Sequence, residues 1–352
     1  MQPNTFLLYG AYGYTGELIA RYAIQYNLQP ILAGRREAPL AALAAKLNLP
    51  YKVIDLDNTP LLEAALREVK IVVHAAGPYD FTARQMVDAC LRTGTHYLDL
   101  NGDPDIFEQL HQSDEAAKAA GIMLLPGAGF DVVPTDCLAQ FLKKALPDAQ
   151  ELKLAFAILG SGLSHGTAVN SIQKMGLPGA IRENGQLVRE PLGKRGMQVD
   201  FGVKKLFVMS LPWGDVATAW YSTGIPNIQS YTHVPVAAWQ LLKVQHLYNW
   251  LLRKPAVRNF VKRQIDRRAP GPDDNTRNQA ISLIWGQASN AGGQRVTARM
   301  RTPEAYDVTA YTVLLITQKV LQGNFKTGYH TPSTAYGENL VLEVPGVLRE
   351  LL

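Results

Sequence analysis

Gly10-Ala11-Tyr12-Gly13-Tyr14-Thr15-Gly16 follows the first apolar run, residues 6–9, and opens a segment with helical spacing. Glycines so placed permit a tight strand-to-helix turn. They also let the backbone approach a pyrophosphate, whose charge sits on free N–H groups at the helix start. The setting of the loop strengthens this reading, because further apolar runs recur at residues 30–33, 51–54, 71–75, 96–100 and 122–125. Between them, residues 39–47, 61–69, 81–92 and 106–120 are rich in Ala, Leu, Glu and Gln at helical spacing. Such alternation builds βαβ units and a parallel sheet, and six units complete a doubly wound nucleotide-binding domain. Gly10, Tyr12, Gly13, Tyr14, Thr15 and Gly16 are therefore candidate cofactor-binding residues.

The end of the second run selects the dinucleotide. A carboxylate there would hydrogen-bond the ribose 2′-hydroxyl of NAD, whereas this chain has Gly34-Arg35-Arg36 and no acid before Glu37. Guanidinium forks pair with phosphate and stack on adenine, so Arg35 and Arg36 predict NADP(H) in preference to NAD(H). Asp55, after the third run, is a candidate partner for the adenine amino group. Ala76, Gly77, Pro78 and Tyr79 close the fourth run, where a doubly wound sheet places its switch-point crevice; they are predicted to wall the nicotinamide ribose.

Hydride transfer belongs to the cofactor, so the protein need only orient it, polarise the acceptor and supply a proton. Candidates for the proton chemistry are Tyr97 and Asp99 at the end of the fifth run, Asp131 beyond the sixth, and His165 in a glycine-rich turn. Each also has a simpler reading: packing for Tyr97, a helix cap for Asp131, a structural contact for His165. Gly162-Leu163-Ser164-His165-Gly166 matches the GxSxG elbow of hydrolases, but the chain before it is occupied by the dinucleotide fold. None of the fifteen tyrosines is followed four residues later by lysine, which removes the usual Tyr/Lys proton-delivery pair. The seven histidines show no metal-ligand spacing, and no metal is expected.

After residue 126 the texture changes to that of an α+β domain. A helix is expected over 130–145, a strand over 151–158, a helix from Thr167, and a hairpin-like stretch over 185–199. Strands are expected at 206–211 and 217–222, and a pair at 279–287 and 294–300 across Asn290-Ala291-Gly292-Gly293. A long apolar helix, 306–321, is expected to return to the first domain. Residues 1–130 with about 303–352 thus form a Rossmann-type α/β domain, and 131–302 form a second α+β domain for substrate and any homodimer contact.

At 352 residues, 47% hydrophobic and 18% charged, the chain has ample core for two domains and is too apolar for disorder. Two cysteines, Cys90 and Cys137, offer neither a disulfide framework nor a metal site. No cleavable leader and no run of 18 apolar residues is visible, which predicts a soluble cytoplasmic protein. The net charge of +5 is concentrated: residues 253–268 hold seven Lys or Arg against Asp266 alone, so the remainder is marginally acidic. This segment follows Trp239, Leu241, Leu242, Val244, Leu247, Trp250, Leu251 and Leu252. Residues 235–268 therefore read either as a core-packed helix with a basic face or as an interfacial element for a membrane. No nucleic-acid module accompanies it.

Several motifs together resemble the saccharopine dehydrogenase-like oxidoreductases, including their trans-acting enoyl reductase branch. They are the glycine loop, Ala33-Gly34-Arg35, Ala76-Gly77-Pro78-Tyr79, His96-Tyr97-Leu98-Asp99 and Pro126-Gly127-Ala128-Gly129-Phe130-Asp131-Val132-Val133-Pro134-Thr135-Asp136. Pro212-Trp213-Gly214-Asp215, the stretch 222–227 and the stretch 331–337 extend the resemblance over most of the chain. Asn101-Gly102-Asp103 departs from it, standing where relatives carry a Thr-Gly-Glu type sequence. The resemblance implies an N-terminal Rossmann domain, a second domain with a mixed sheet, and a nicotinamide-dependent oxidoreductase. The reading is an NADPH-dependent enzyme reducing a C=C or C=N bond of an apolar or lipid-like substrate. The alternatives are an amino-acid imine dehydrogenase of the saccharopine type and a non-catalytic, membrane-associated NADPH-binding protein.

Overall fold

A computed structural model describes residues 4–267 and 269–352; Arg268, the last cation of the basic segment, lies outside the described residues. The chain divides into two compact units, residues 1–133 with 306–336 and residues 134–305 with 337–352.

The first unit is built on β1 (Thr5–Tyr9), β2 (Gln29–Gly34), β3 (Tyr51–Val53), β4 (Ile71–His74), β5 (His96–Asp99) and β6 (Met123–Leu125). All pair in parallel, in the order β3-β2-β1-β4-β5-β6, with the short strand Gly328–Tyr329 at the far edge. Central strands covered on both faces lose the polar alternation, and Ile71–His74 and His96–Asp99 are buried throughout. Helices Tyr14–Tyr22, Glu37–Leu47, Thr59–Leu66 and Tyr79–Thr93 make the crossovers. The order reverses between β1 and β4, which places the ligand crevice of this fold outside the carboxyl ends of those strands.

The single helix expected at 106–120 is two, Pro104–His111 and Asp114–Ala119. The second piece is tied to the edge strand, because the Asp114 carboxylate accepts the Tyr329 N–H at 2.7 Å. Helix Ala305–Leu321 lies in the first unit from Tyr306 onward. Residues 337–352, expected with it, instead join the second unit, because Leu348–Leu351 pairs antiparallel with Arg295–Thr302.

The second unit carries a nine-stranded mixed sheet whose centre is Glu151–Leu159, parallel to Asn227–His233 and antiparallel to Ile281–Ser289. Its core includes Phe201, Val208, Tyr231, Leu283 and Trp285. The stretch 217–222, expected as a strand, belongs to helix Asp215–Thr223. Val216, Ala217, Thr218 and Ala219 are buried in succession, and such an unbroken run carries no amphipathic period to tell a helix from a strand. The apolar stretch from 235 is not one helix but Val236–Leu242 and Asn249–Leu252 around a single 3-10 turn, followed by Pro255–Ile265.

Candidate cofactor and active site

Gly10 turns the chain out of β1 at φ +88°, where a side chain is strained, and a Cβ there would lie 2.7 Å from the Ala75 carbonyl carbon. Its N–H and that of Ala11 both donate to the Ala33 carbonyl, at 2.8 and 3.2 Å, which ties the loop to the end of β2. At Gly16 a Cβ would meet the Gly10 carbonyl, so the helix packs against its own loop only because this residue lacks a side chain. Gly13 is the extended N-cap of helix Tyr14–Tyr22, and no side chain caps that start. An uncapped helix start behind a loop closed by missing side chains fits a pyrophosphate. The Tyr14 ring stands edge-on to Tyr306 at 5.0 Å.

Across β2, the Tyr12 ring lies over Gly34, where a Cβ would come within 2.5 Å of it. The Arg36 guanidinium sits 5.0 Å from the centre of the same ring, and both Arg35 and Arg36 are exposed. Two exposed guanidinium forks beside an aromatic plane suit an adenosine 2′-phosphate. Asp55 is also exposed, and its Oδ1 accepts the Asp57 N–H at 3.1 Å, a local turn contact.

The other half of the edge is enclosed. After β4, the loop Ala76-Gly77-Pro78-Tyr79 contains a cis Gly77–Pro78 bond and is pinned by Thr82, whose hydroxyl donates to the Ala76 carbonyl at 2.9 Å. The Tyr79 hydroxyl donates to the His74 carbonyl at 3.1 Å. His74 is buried among the rings of Tyr9, Tyr79 and Tyr97, and burial pushes its imidazole down to about 3, so it stays neutral.

Tyr97 and Asp99, both at zero exposure, form a pair in which the Tyr97 hydroxyl donates to Asp99 Oδ2 at 2.7 Å. Asp99 Oδ1 accepts the N–H groups of Asn101 and Gly127 at 2.9 and 2.8 Å, stitching the loop after β5 to the loop after β6. Burial raises this carboxyl to about 6 despite those bonds.

Asp131 is different. Its carboxylate accepts no hydrogen bond among the described residues; it lies against Gly102, where a Cβ would come within 2.6 Å of Oδ2. Burial alone raises it to about 7, and its charge is felt at Tyr79 on the loop after β4. Tyr79, Tyr97, Asp99 and Asp131 thus share one cluster at the carboxyl ends of β4, β5 and β6. His165 lies in the second unit, as the first residue of helix His165–Gln173, with Nε2 2.8 Å from Asp266 Oδ1. Ser164 caps that helix, its Oγ accepting the Thr167 N–H at 3.2 Å.

Sequence reasoning missed Thr309 and Thr312. Thr309 Oγ1 accepts the Phe130 N–H at 3.0 Å, and the Thr312 hydroxyl donates to the Ala128 carbonyl at 2.7 Å, so helix Ala305–Leu321 holds the loop that presents Asp131. The available signal was two threonines three residues apart in the otherwise apolar stretch 308–316 of that helix.

A parallel sheet in this strand order, with a glycine loop after β1 and a switch point beside β4, defines a Rossmann dinucleotide-binding domain. Residues 6–125 match the family described as Saccharopine dehydrogenase NADP binding domain, which supports NADP(H) as the cofactor. A mouse saccharopine dehydrogenase-like oxidoreductase is 24% identical over 207 residues, 52% of this chain and 48% of that protein. A trans-acting enoyl reductase of Mycobacterium leprae is 35% identical over 153 residues, 40% of this chain and 36% of that protein. The chain thus spans about half the length, or less, of these curated relatives. Among solved structures, apo saccharopine dehydrogenase (L-Glu forming) of Saccharomyces cerevisiae aligns over 99% of this chain and all of its own, with a TM-score of 0.68 and 13% identity, a likeness of fold.

Proposed function

We propose that the protein is an NADPH-dependent reductase acting on the C=C bond of an apolar, enoyl-type substrate, with Asp131 as the proton donor. The observation that carries this reading is a half-buried carboxyl without a hydrogen-bond partner, raised to about 7, beside the loop that flanks the switch point. When bound, NADPH supplies a hydride to one carbon of the double bond. Asp131 holds a proton near neutral pH, delivers it to the other carbon, and is left as a carboxylate that solvent reprotonates. Tyr97 and Asp99 act as positioning residues, since Asp99 has both oxygens engaged in joining the two loops. Arg35 and Arg36 bind the 2′-phosphate, and the glycine loop binds the pyrophosphate. The relative named a trans-acting enoyl reductase supports C=C over C=N.

The test is consumption of NADPH, followed by its absorbance, with medium-chain enoyl thioesters and with a cyclic imine. Oxidation dependent on the enoyl thioester, lost in Gly13→Asp, is expected. Oxidation with the imine alone would convert the protein to an imine dehydrogenase. NADPH binding without turnover on either would make it a binding protein.

A further inference from the structure

We propose that residues 236–267 form a docking surface for an anionic lipid bilayer. Among the described residues, seven of the nineteen exposed large hydrophobic side chains fall between 236 and 260. Leu241, Leu247, Trp250 and Phe260 each show 60–64% of their surface to solvent. This is not a loosely attached segment. On its inner side the Trp239 indole N–H donates to the Gly193 carbonyl and the Gln245 amide to the Leu192 carbonyl, both at 2.7 Å. Arg253 and Arg258 donate to the Gly176 and Met175 carbonyls at 2.8 and 3.0 Å, fastening the following helix to the same body. With the inner contacts fixed, the outward apolar side chains are left in water.

Cations surround them. The Lys254 ammonium lies 4.5 Å from the centre of the Trp250 ring, and Arg263 and Arg267 have no acidic partner among the described residues. Apolar side chains with a tryptophan, interleaved with Lys and Arg, match both layers of an anionic membrane surface: acyl chains and indole-level interface on one side, phosphate headgroups on the other. A nucleic acid would satisfy the cations and leave Leu241, Leu247 and Leu251 in water. A second copy of the chain would bring like charges together.

The experiment is co-sedimentation of the full chain with phosphatidylcholine vesicles, with and without about one third phosphatidylserine. Binding to the phosphatidylserine vesicles at low salt, released at high salt, is expected. The double variant Leu247→Glu/Trp250→Glu should weaken it at least about tenfold, and Arg263→Glu/Arg267→Glu at least about twentyfold, with circular dichroism and NADPH affinity unchanged. Absence of sedimentation at low salt, or undiminished binding in both variants, would overturn the proposal. So would protein that ignores vesicles yet shifts duplex RNA or self-associates through these side chains.

Discussion

At the carboxyl ends of β1 and β2 the candidate side chains stand in solvent; at those of β4, β5 and β6 they are buried or half-buried. Arg35, Arg36 and Asp55 are exposed, whereas Tyr97 and Asp99 are fully buried and Asp131 is half-buried. The difference matches the proposed division between binding and chemistry. Phosphate recognition needs permanent charges that are cheap to keep hydrated until the ligand arrives. Proton delivery near neutral pH needs a carboxyl whose charged form is disfavoured, and here burial does that.

The sharpest way to break this contrast is Asp131→Asn. Loss of a general acid costs about 10²- to 10⁴-fold in turnover, while NADPH affinity should stay within about twofold. The wild-type rate should fall as pH rises through about 7, as the acid loses its proton, and the variant should lack that limb. A variant that loses cofactor affinity and turnover in parallel would place Asp131 in the exposed, binding half.

Which parts of this edge were legible in the sequence follows the same division. The glycine loop, the arginines after β2 and the strand order depend on local spacing, and the parallel sheet stands as the alternating runs implied. The clamp around Asp99 spans residues 97 to 127, and the hydroxyls holding the Asp131 loop come from about 180 residues downstream, contacts for which spacing has no signature. Helix Asp215–Thr223 was hidden for another reason, since its unbroken buried run, residues 215–219, shows no helical period.

Asp99 offers the next largest effect, on stability. Its folded-state value of about 6 lies above the ordinary 3.8, so its protonated form contributes stability that is present below about 4 and lost as pH rises through 6. The gap corresponds to about 3 kcal/mol. His74 runs the other way: held near 3 rather than 6.5, it contributes stability above 6.5 that is lost as pH falls toward 3. The wild-type curve mixes the two, but its difference from Asp99→Asn isolates the carboxyl. In urea titrations, wild type relative to variant should be about 2 kcal/mol better at pH 4 than at pH 7, the rest of the gap being lost already by pH 4. A flat difference would mean that burial of Asp99 does not outweigh its three hydrogen bonds.

The smallest effect belongs to the exposed half. Arg35→Ala and Arg36→Ala each remove one guanidinium from the end of β2, where a hydrated partner limits the contribution of a charged hydrogen bond to about 1.4 kcal/mol, or about tenfold in affinity. For Arg35→Ala the loss should appear in calorimetric titration with NADPH and not with NADH, which lacks the phosphate. Arg36 stands over Tyr12, so its removal also takes away one side of an aromatic stack, and its effect on NADH should be the larger of the two. Equal losses for both cofactors in both variants would move the arginines from phosphate recognition to general support of the loop. The division of the edge would then rest on the buried half alone.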